Sequence, residues 1–193
     1  MSKYESITIK KAMQNIATNK YLLPAIQRKY VWSTYQVERL FDSIMRGYPI
    51  NSFMLWEITD DRIRQDYKFY SFIKDYCQYF HETNPDASPK LLGNDFFAVI
   101  DGQQRLASLY IGLDGTYRYK KPNKWWIDCE ENMPTRRLYL DLSEQMTSDT
   151  DDGMMYRFSF LSQEDLDRYE DNSNANWFRV GKVLDFNDLT DVN

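Results

Sequence analysis

The chain has 193 residues, of which 42% are hydrophobic and 27% charged, a composition typical of a folded domain and unlike that of a disordered or fibrous chain. No apolar run reaches membrane-spanning length and the N-terminus lacks an apolar signal core, so we expect a cytoplasmic protein that does not contact a membrane. The single histidine, His81, excludes centres that need two histidines, such as an HNH nuclease.

Charge is distributed unevenly along the chain. The net charge is −5, yet residues 1–50 carry eight Lys and Arg against three Asp and Glu, whereas residues 141–193 carry four against thirteen. A basic N-terminal segment could meet phosphates although the total charge disfavours them; a solvated surface is the alternative interpretation. We expect residues 1–193 to form a single domain, the N-terminal part of a longer protein, with 141–193 as its acidic C-terminal extension.

The first part of the chain predicts two helices around a short strand. Thr8 can cap a helix through IKKAMQNIA, and YLLPAI fits a short strand that Pro24 interrupts, at a sheet edge or a strand end. Ser33 with Gln36 fits a capping box for a helix that runs to Arg46 and carries a clean apolar stripe.

The remainder predicts strands and three further helices. FMLWEI and FFAVI fit buried strands, and aromatic residues at helical spacing predict a helix over residues 66–81. RLASLYIGL has helical spacing, and Ser162 can cap a helix in SQEDLDRYE. The end, VLDFNDLTDVN, shows no closing element, and further strands are predicted at WWID, RRLYLDL and YRFSF.

The strand FFAVI leads through Asp101-Gly102-Gln103-Gln104-Arg105 into a helix. Glycine permits a sharp turn, and the helix that follows presents unpaired N–H groups and a positive dipole end to an anion. Arg105 adds a planar donor fork for phosphate, and Asp101 could hold a Mg²⁺ ion that bridges phosphates. The alternative is a capped turn in which Arg105 forms an internal salt bridge.

A second cluster of chemically useful side chains precedes the Ser33 helix. Arg28 and Lys29 can contact phosphates, and Tyr30 and Trp32 can stack a base or line a pocket. The alternative is a surface loop with aromatic anchors.

Together, PAIQRKYVWSTYQVERLFDSIMRGYPINSFMLW and FFAVIDGQQRLASLY resemble the N-terminal domain family of GmrSD-type, modification-dependent restriction endonucleases, directly over residues 20–113. More remotely, VIDGQQRLASL is similar to the phosphate-binding turn of ParB and sulfiredoxin-like domains. The chain departs from the family at Asn51, where a glycine is usual; we expect the turn to survive because asparagine tolerates left-handed backbone.

The resemblance implies an α+β fold of the ParB/sulfiredoxin-like type, with a small mixed sheet and flanking helices. It implies a phage-defence module that binds and hydrolyses a nucleoside triphosphate with Mg²⁺ or another divalent cation. DNA would be a partner, and cleavage would need an HNH-type nuclease domain or subunit that this chain lacks. Two other functions stay open: a non-hydrolysing module that senses modified DNA, and a ParB-like nuclease.

The candidate site residues follow from these motifs. Gly102 and the next N–H groups would cradle the phosphates, and Arg105 would stabilise charge on the transferred phosphoryl group. The candidate catalytic residues are Asp101, Gln104 and Arg105, with Asp101 also the metal ligand. The nucleotide-binding set is Gly102, Gln103, Arg105, Gln27, Arg28, Tyr30 and Gln36, and the DNA-binding set is Arg28, Lys29 and Trp32.

Overall fold

A computed structural model describes residues 4–26, 28–87, 95–145, 153–172 and 176–186. The elements in chain order are α1 (Ile9–Ala17), β1 (Tyr21–Pro24), α2 (Thr34–Met45), β2 (Met54–Ile58), α3 (Asp61–Asp66), β3 (Phe69–Tyr70), β4 (Asp75–Cys77), β5 (Phe96–Asp101), α4 (Gln103–Leu113), β6 (Thr116–Arg118), β7 (Thr135–Gln145), β8 (Tyr156–Leu161), α5 (Gln163–Asn172), β9 (Trp177–Arg179) and a 3-10 helix (Val180–Leu184). They divide into two compact units, unit 1 with Met1–Lys29, Phe53–Ile73 and Thr83–Gln103, and unit 2 with Tyr30–Ser52, Lys74–Glu82 and Gln104–Asn193.

Unit 1 contains a four-stranded mixed sheet in the order β2-β5-β1-β3. β5 lies parallel to β1 and antiparallel to β2, and β3 pairs antiparallel with β1. The rings of Phe69 and Phe96 meet edge to face with their centroids 4.8 Å apart. The sheet is held by a buried apolar cluster of Leu22, Ile58, Phe69, Ala87, Phe96 and Ala98.

The predicted helix after Thr8 and the strand that ends at Pro24 are confirmed. The Thr8 hydroxyl accepts the Lys11 N–H at 3.2 Å and caps α1, whose Met13 and Ile16 are buried. β1 is nevertheless an inner strand, and Pro24 is tolerated because it is the last residue of the strand.

Unit 2 contains a second mixed sheet in the order β4-β6-β7-β8, with β9 on β7. The predicted Ser33 helix is confirmed as α2, and its capping box forms, with the Gln36 carboxamide accepting the Ser33 N–H at 2.9 Å. α2 faces β8, where the Phe41 and Phe158 rings lie 5.8 Å apart. Helix α4 is buried at every residue from Leu106 to Leu113.

The predicted helix over residues 66–81 is wrong. The chain forms α3 to Asp66, then β3 and β4. Tyrosine, phenylalanine and isoleucine fit the pleated surface of a strand at least as well as a helix, and pairing partners decide between the two. Phe69 pairs with Pro24 in unit 1, and Tyr76 pairs with Tyr117 in unit 2.

Three smaller predictions are corrected as well. WWID is not a strand, since local turn bonds such as Ile127 N–H to the Trp125 carbonyl, at 3.0 Å, satisfy its backbone. FMLWEI forms an edge strand, β2, that is mostly exposed and not buried. The segment VLDFNDLTDVN begins in an element that the sequence did not indicate, the 3-10 helix that includes Val183 and Leu184, and residues 187–193 lie outside the described part.

The α+β class with small mixed sheets and flanking helices is confirmed. The remaining predictions of strands at RRLYLDL and YRFSF, and of the Ser162-capped helix, are also confirmed. The single-domain assignment and the ParB/sulfiredoxin-like type stay predictions. Across the described ranges, no helix combines the length and apolar character that a membrane span requires.

Gly115, between α4 and β6, generates a stability prediction. A Cβ atom there would lie 2.0 Å from the backbone oxygen of Lys74, where β4 begins, so Gly115→Ala must push β4 away from β6. We expect a loss of about 3 kcal/mol in the free energy of unfolding by urea. Gly47→Ala is the control, because a Cβ there meets nothing within 4 Å and only the positive φ of 74° opposes it, costing about 1 kcal/mol. Equal losses in the two variants would contradict the packing described for Gly115.

Candidate nucleotide-binding site

The turn after β5 has the sharp geometry that the sequence predicts. β5 ends at Asp101, which lies opposite Met54 of β2, and α4 begins at Gln103. Gly102 between them has a φ of 86°, in the left-handed region where other residues are strained. The Gln103 carboxamide donates back to the Val99 carbonyl at 2.7 Å. The first residue of the helix is therefore tied to the strand that precedes it.

Arg105 braces a second turn of the chain. Its guanidinium donates to the backbone carbonyl of Ile50 and, at 3.2 Å, to that of Ser52. These carbonyls flank Asn51, whose φ is 64°. The expectation that asparagine would keep this turn in the left-handed conformation is confirmed. Arg105 thus contacts carbonyl oxygens, which a guanidinium fork can engage as it engages phosphate oxygens.

The start of α4 also holds the segment that leads to α2. The Gln104 side-chain oxygen accepts the Val31 N–H at 3.2 Å, and one turn later the Ser108 hydroxyl lies 2.9 Å from the Tyr30 hydroxyl. The Tyr117 hydroxyl of β6 donates to the Trp32 carbonyl at 3.0 Å. Unit 2 therefore brings together Tyr30, Trp32, Gln104 and Arg105.

Tyr30 lies in a buried cluster of tyrosines. Its exposed fraction is 4%, and its ring centroid lies 5.1 Å from that of Tyr76, which in turn lies 4.6 Å from Tyr117. Burial raises the pKa of Tyr30 and of Tyr117, and it raises the pKa of Tyr76 to about 12. These phenols therefore stay neutral, and each packs through its ring while its hydroxyl group remains available for a hydrogen bond.

The other predicted site residues are placed as follows. The Gln36 side chain caps α2, and its role in a pocket wall stays a prediction, as does that of Tyr30. Arg28, Lys29 and Asp101 are exposed in unit 1, and Gln27 lies outside the described residues. Unit 1 holds Arg28, Lys29, Asp101, Gly102 and Gln103, and unit 2 holds Tyr30, Trp32, Gln36, Gln104 and Arg105.

Sequence reasoning did not single out two carboxylates of α2. Asp42 is 3% exposed, accepts the N–H groups of Met155 and Tyr156 at 2.9 Å each, and forms an ion pair with Arg46 at 3.3 Å. Glu38, one turn earlier, accepts the Phe160 N–H at 3.2 Å. The sequence clue to both carboxylates is that each follows directly after a residue of the apolar stripe, Val37 or Phe41. Asp42 holds α2 at the start of β8, and Glu38 holds it at a later residue of that strand.

Residues 9–190 match the model of the family described as GmrSD restriction endonuclease, N-terminal domain. The chain is also similar to the uncharacterized protein MJ0686 of Methanocaldococcus jannaschii, with 27% identity over 159 residues. That match covers 78% of this chain and 23% of the relative, so the chain spans about a quarter of the length of the curated protein that it matches.

Glu38 gives a prediction about pH. Burial raises its pKa to about 6, above the value of about 4.3 in an unfolded chain, so the folded state favours the protonated acid. This stabilisation is fully present below about pH 4.3 and is lost as the pH rises through about 6. Glu38→Gln keeps the acceptor oxygen for Phe160 without the charge, and we expect it to gain on the order of 1–2 kcal/mol at neutral pH. Urea unfolding at several pH values measures the gain.

The gain should shrink towards zero near pH 4.5, where wild-type Glu38 is itself protonated. Glu57→Gln is the control, because Glu57 is exposed on the edge strand β2. A gain for Glu38→Gln that stays the same at all pH values would disprove the titration of this residue.

Proposed function

The chain belongs to the family of N-terminal domains of GmrSD restriction endonucleases, and we propose that it is the nucleotide-binding and nucleotide-hydrolysing module of such a system. Family membership makes it a module of a restriction system, which is a form of phage defence. The finer assignment to a nucleoside triphosphate is the proposal, and the observation that carries it is the tight glycine turn between β5 and α4.

In this proposal the phosphates lie against the first turn of α4. The left-handed Gly102 lets β5 lead directly into a helix of eleven residues, so the N–H groups of Gln103, Gln104 and Arg105 lie at the positive end of its dipole. The Gln103 carboxamide bonds to the Val99 carbonyl, which holds the first residue of the helix against the strand. A rigid anion cradle loses little entropy when the ligand binds.

Arg105 has two tasks in the proposed site. Its bonds to the Ile50 and Ser52 carbonyls orient the guanidinium, and its positive charge lies in the first turn of the helix that would hold the phosphates. A charge fixed before the reaction stabilises the negative charge that develops on a transferred phosphoryl group. The Gln104 bond to Val31 fixes the plane of that side chain in the same turn, as suits a group that positions a ligand or water.

In the proposed site, a divalent cation would be held by one protein carboxylate, that of Asp101, together with the nucleotide. Mg²⁺ commonly takes one or two protein carboxylates and completes its shell with phosphate oxygens and water. Asp101 supplies an exposed carboxylate at the end of β5. No group of three His, Cys, Asp or Glu side chains in the described chain could hold a metal ion, so Asp101 would share the cation with the nucleotide. When bound, the cation would neutralise phosphate charge.

DNA and a separate nuclease are the proposed partners. Arg28 and Lys29 are exposed in a segment, residues 1–50, where basic residues outnumber acidic ones by eight to three. His81 bonds to Asp128 at 3.1 Å, and with no second histidine in the chain an HNH centre would come from another domain or subunit. The basic segment also favours the second candidate function, a module that senses modified DNA without hydrolysis.

The nucleotide proposal predicts the effect of two substitutions on binding. Gly102→Ala strains the left-handed turn and turns the following N–H groups, so we expect the dissociation constant for a nucleoside triphosphate with Mg²⁺ to rise about tenfold. Arg105→Ala should weaken binding by roughly 1.5–3 kcal/mol, the range for a hydrogen bond to a charged group. Titration calorimetry measures both.

The control is Gly153→Ala, because Gly153 also has a positive φ, 62°, and a Cβ there meets nothing within 4 Å. It should lose similar stability and keep wild-type nucleotide affinity. Circular dichroism establishes that each variant is folded. Equal affinity of the wild type and both site variants would remove the nucleotide from this turn.

Hydrolysis gives a separate prediction about Asp101. Release of inorganic phosphate by the purified chain should require a divalent cation, and Asp101→Asn should lower the turnover rate at least tenfold because the amide binds Mg²⁺ more weakly, a loss of about 1.4 kcal/mol or more in transition-state stabilisation. Asp66→Asn, an exposed carboxylate at the end of α3, is the control and should keep full turnover. Nucleotide binding without any phosphate release would favour the DNA-sensing alternative.

A further inference from the structure

Unit 2 carries an exposed aromatic surface that the proposed nucleotide site does not use. We call it the Trp125 surface, formed by Tyr79, Trp125, Trp126 and Ile127. Their exposed fractions are 72%, 81%, 47% and 53%, respectively. Single exposed apolar residues are ordinary, but four neighbouring ones mark a binding surface.

The rings belong to a firmly built segment. Tyr79 and Trp126 are in contact, with ring centroids 5.6 Å apart. The Asn132 carboxamide donates to the Trp125 carbonyl at 3.2 Å, and Asn132 and its neighbour Met133 are buried. The backbone is therefore anchored from below while the Trp125 ring projects outward, so presenting this ring costs little entropy when a ligand binds.

Asp128 joins the two segments that form the Trp125 surface. Asp128 accepts the Arg118 guanidinium at 2.7 Å and the His81 ring at 3.1 Å, which joins the turn around Tyr79 to the segment that carries both tryptophans. Tyr79 itself has a φ of 75°, a conformation that a bulky residue rarely adopts. Its ring is thus held beside Trp126 by a strained backbone that the surrounding contacts maintain.

Three lysines, Lys120, Lys121 and Lys124, precede the two tryptophans in the chain. The Lys120 ammonium lies 5.6 Å from the Trp126 ring centroid and donates to the Lys121 carbonyl at 3.1 Å. Lys121 pairs with Glu164, and Lys124 pairs with Glu131 at 2.7 Å. Exposed ion pairs of this kind contribute at most about 1 kcal/mol, so a phosphate can replace the carboxylate at little cost.

We propose that the Trp125 surface binds the unpaired bases of single-stranded nucleic acid. Aromatic rings with lysines beside them provide faces for base stacking and charges for the backbone phosphates. A duplex hides the faces of its bases, so this surface would prefer a single strand. An interface for another protein usually excludes lysine from its centre, whereas here Lys124 precedes Trp125 and the Lys120 ammonium lies near the Trp126 ring. The proposal does not depend on the nucleotide site.

The experiment measures fluorescence anisotropy of a labelled oligothymidylate of about 20 nucleotides against the full chain at low salt, beside a duplex of equal length. Trp125→Leu keeps apolar area but loses the stacking face, so we expect its affinity for the single strand to fall about 5- to 100-fold. Trp125→Phe keeps a face and should lose less than about threefold. Duplex affinity should be the same for all three proteins.

A matched pair of tryptophans provides the control. Trp126→Ala should weaken single-strand binding, whereas Trp56→Ala, on the edge strand of unit 1 and with the same exposed fraction of 47%, should not. Circular dichroism checks that each variant is folded. If Trp125→Leu is not folded, Trp126→Ala still tests the proposal. Repeating the titration with oligouridylate tells whether DNA or RNA is preferred, and a preference for either supports the proposal.

Three results would overturn the proposal. The first is equal single-strand affinity of wild type, Trp125→Leu and Trp126→Ala. The second is an equal loss of duplex affinity in the same variants, which would indicate that binding does not depend on unpaired bases. The third is self-association of the wild type in sedimentation that Trp125→Leu abolishes while oligothymidylate binding is unchanged, which would assign the surface to contact between copies of the chain.

Discussion

The guanidinium of Arg105 holds the two backbone carbonyls on either side of Asn51, and much of unit 2 depends on the helix that carries it. The same first turns of α4 bind Val31 through Gln104 and Tyr30 through Ser108. Beyond Ser108 the helix is buried, so it cannot shift without disturbing the core. Two irregular segments, one before and one after α2, are thereby fixed to one rigid element.

This arrangement changes how the motif Asp101 to Arg105 is understood. Three of its polar side chains, those of Gln103, Gln104 and Arg105, already form hydrogen bonds to backbone groups of the protein. Their first effect is to define the turn, and in the proposed site the ligand would meet the backbone N–H groups of the first turn of α4. Preorganised donors of this kind stabilise developing charge without reorganisation during the reaction. A substitution in the motif therefore affects both folding and binding, which is why each binding test needs a variant with an equal folding cost.

The elements that sequence predicted correctly have local signals that agree with their tertiary surroundings. Thr8 and Ser33 cap α1 and α2, and glycine ends β5 before α4, because these side-chain and backbone preferences act within a few residues. The run over residues 66–81 lacks such local signals. Its aromatic spacing fits a helix face, but the residues pair with β1 and β6, partners that lie far away in the sequence. The left-handed Asn51 was predictable for the same local reason as Gly102.

Aromatic residues were the hardest part of the candidate site to predict, because burial depends on whether the polar end of the ring finds a partner. The role of Tyr30 in stacking a base or lining a pocket stays a prediction, and the structure shows a buried ring whose hydroxyl meets Ser108. Ser108 is 78 residues away in sequence, so no local pattern could reveal the pair. Trp125, expected in a strand, is instead exposed, and its backbone carbonyl accepts hydrogen bonds from the Ile127 N–H and the Asn132 carboxamide rather than from a neighbouring strand. Composition therefore gives the number of aromatic rings that are divided between the core and the surface. Long-range hydrogen bonds decide which of these rings are buried and which are exposed.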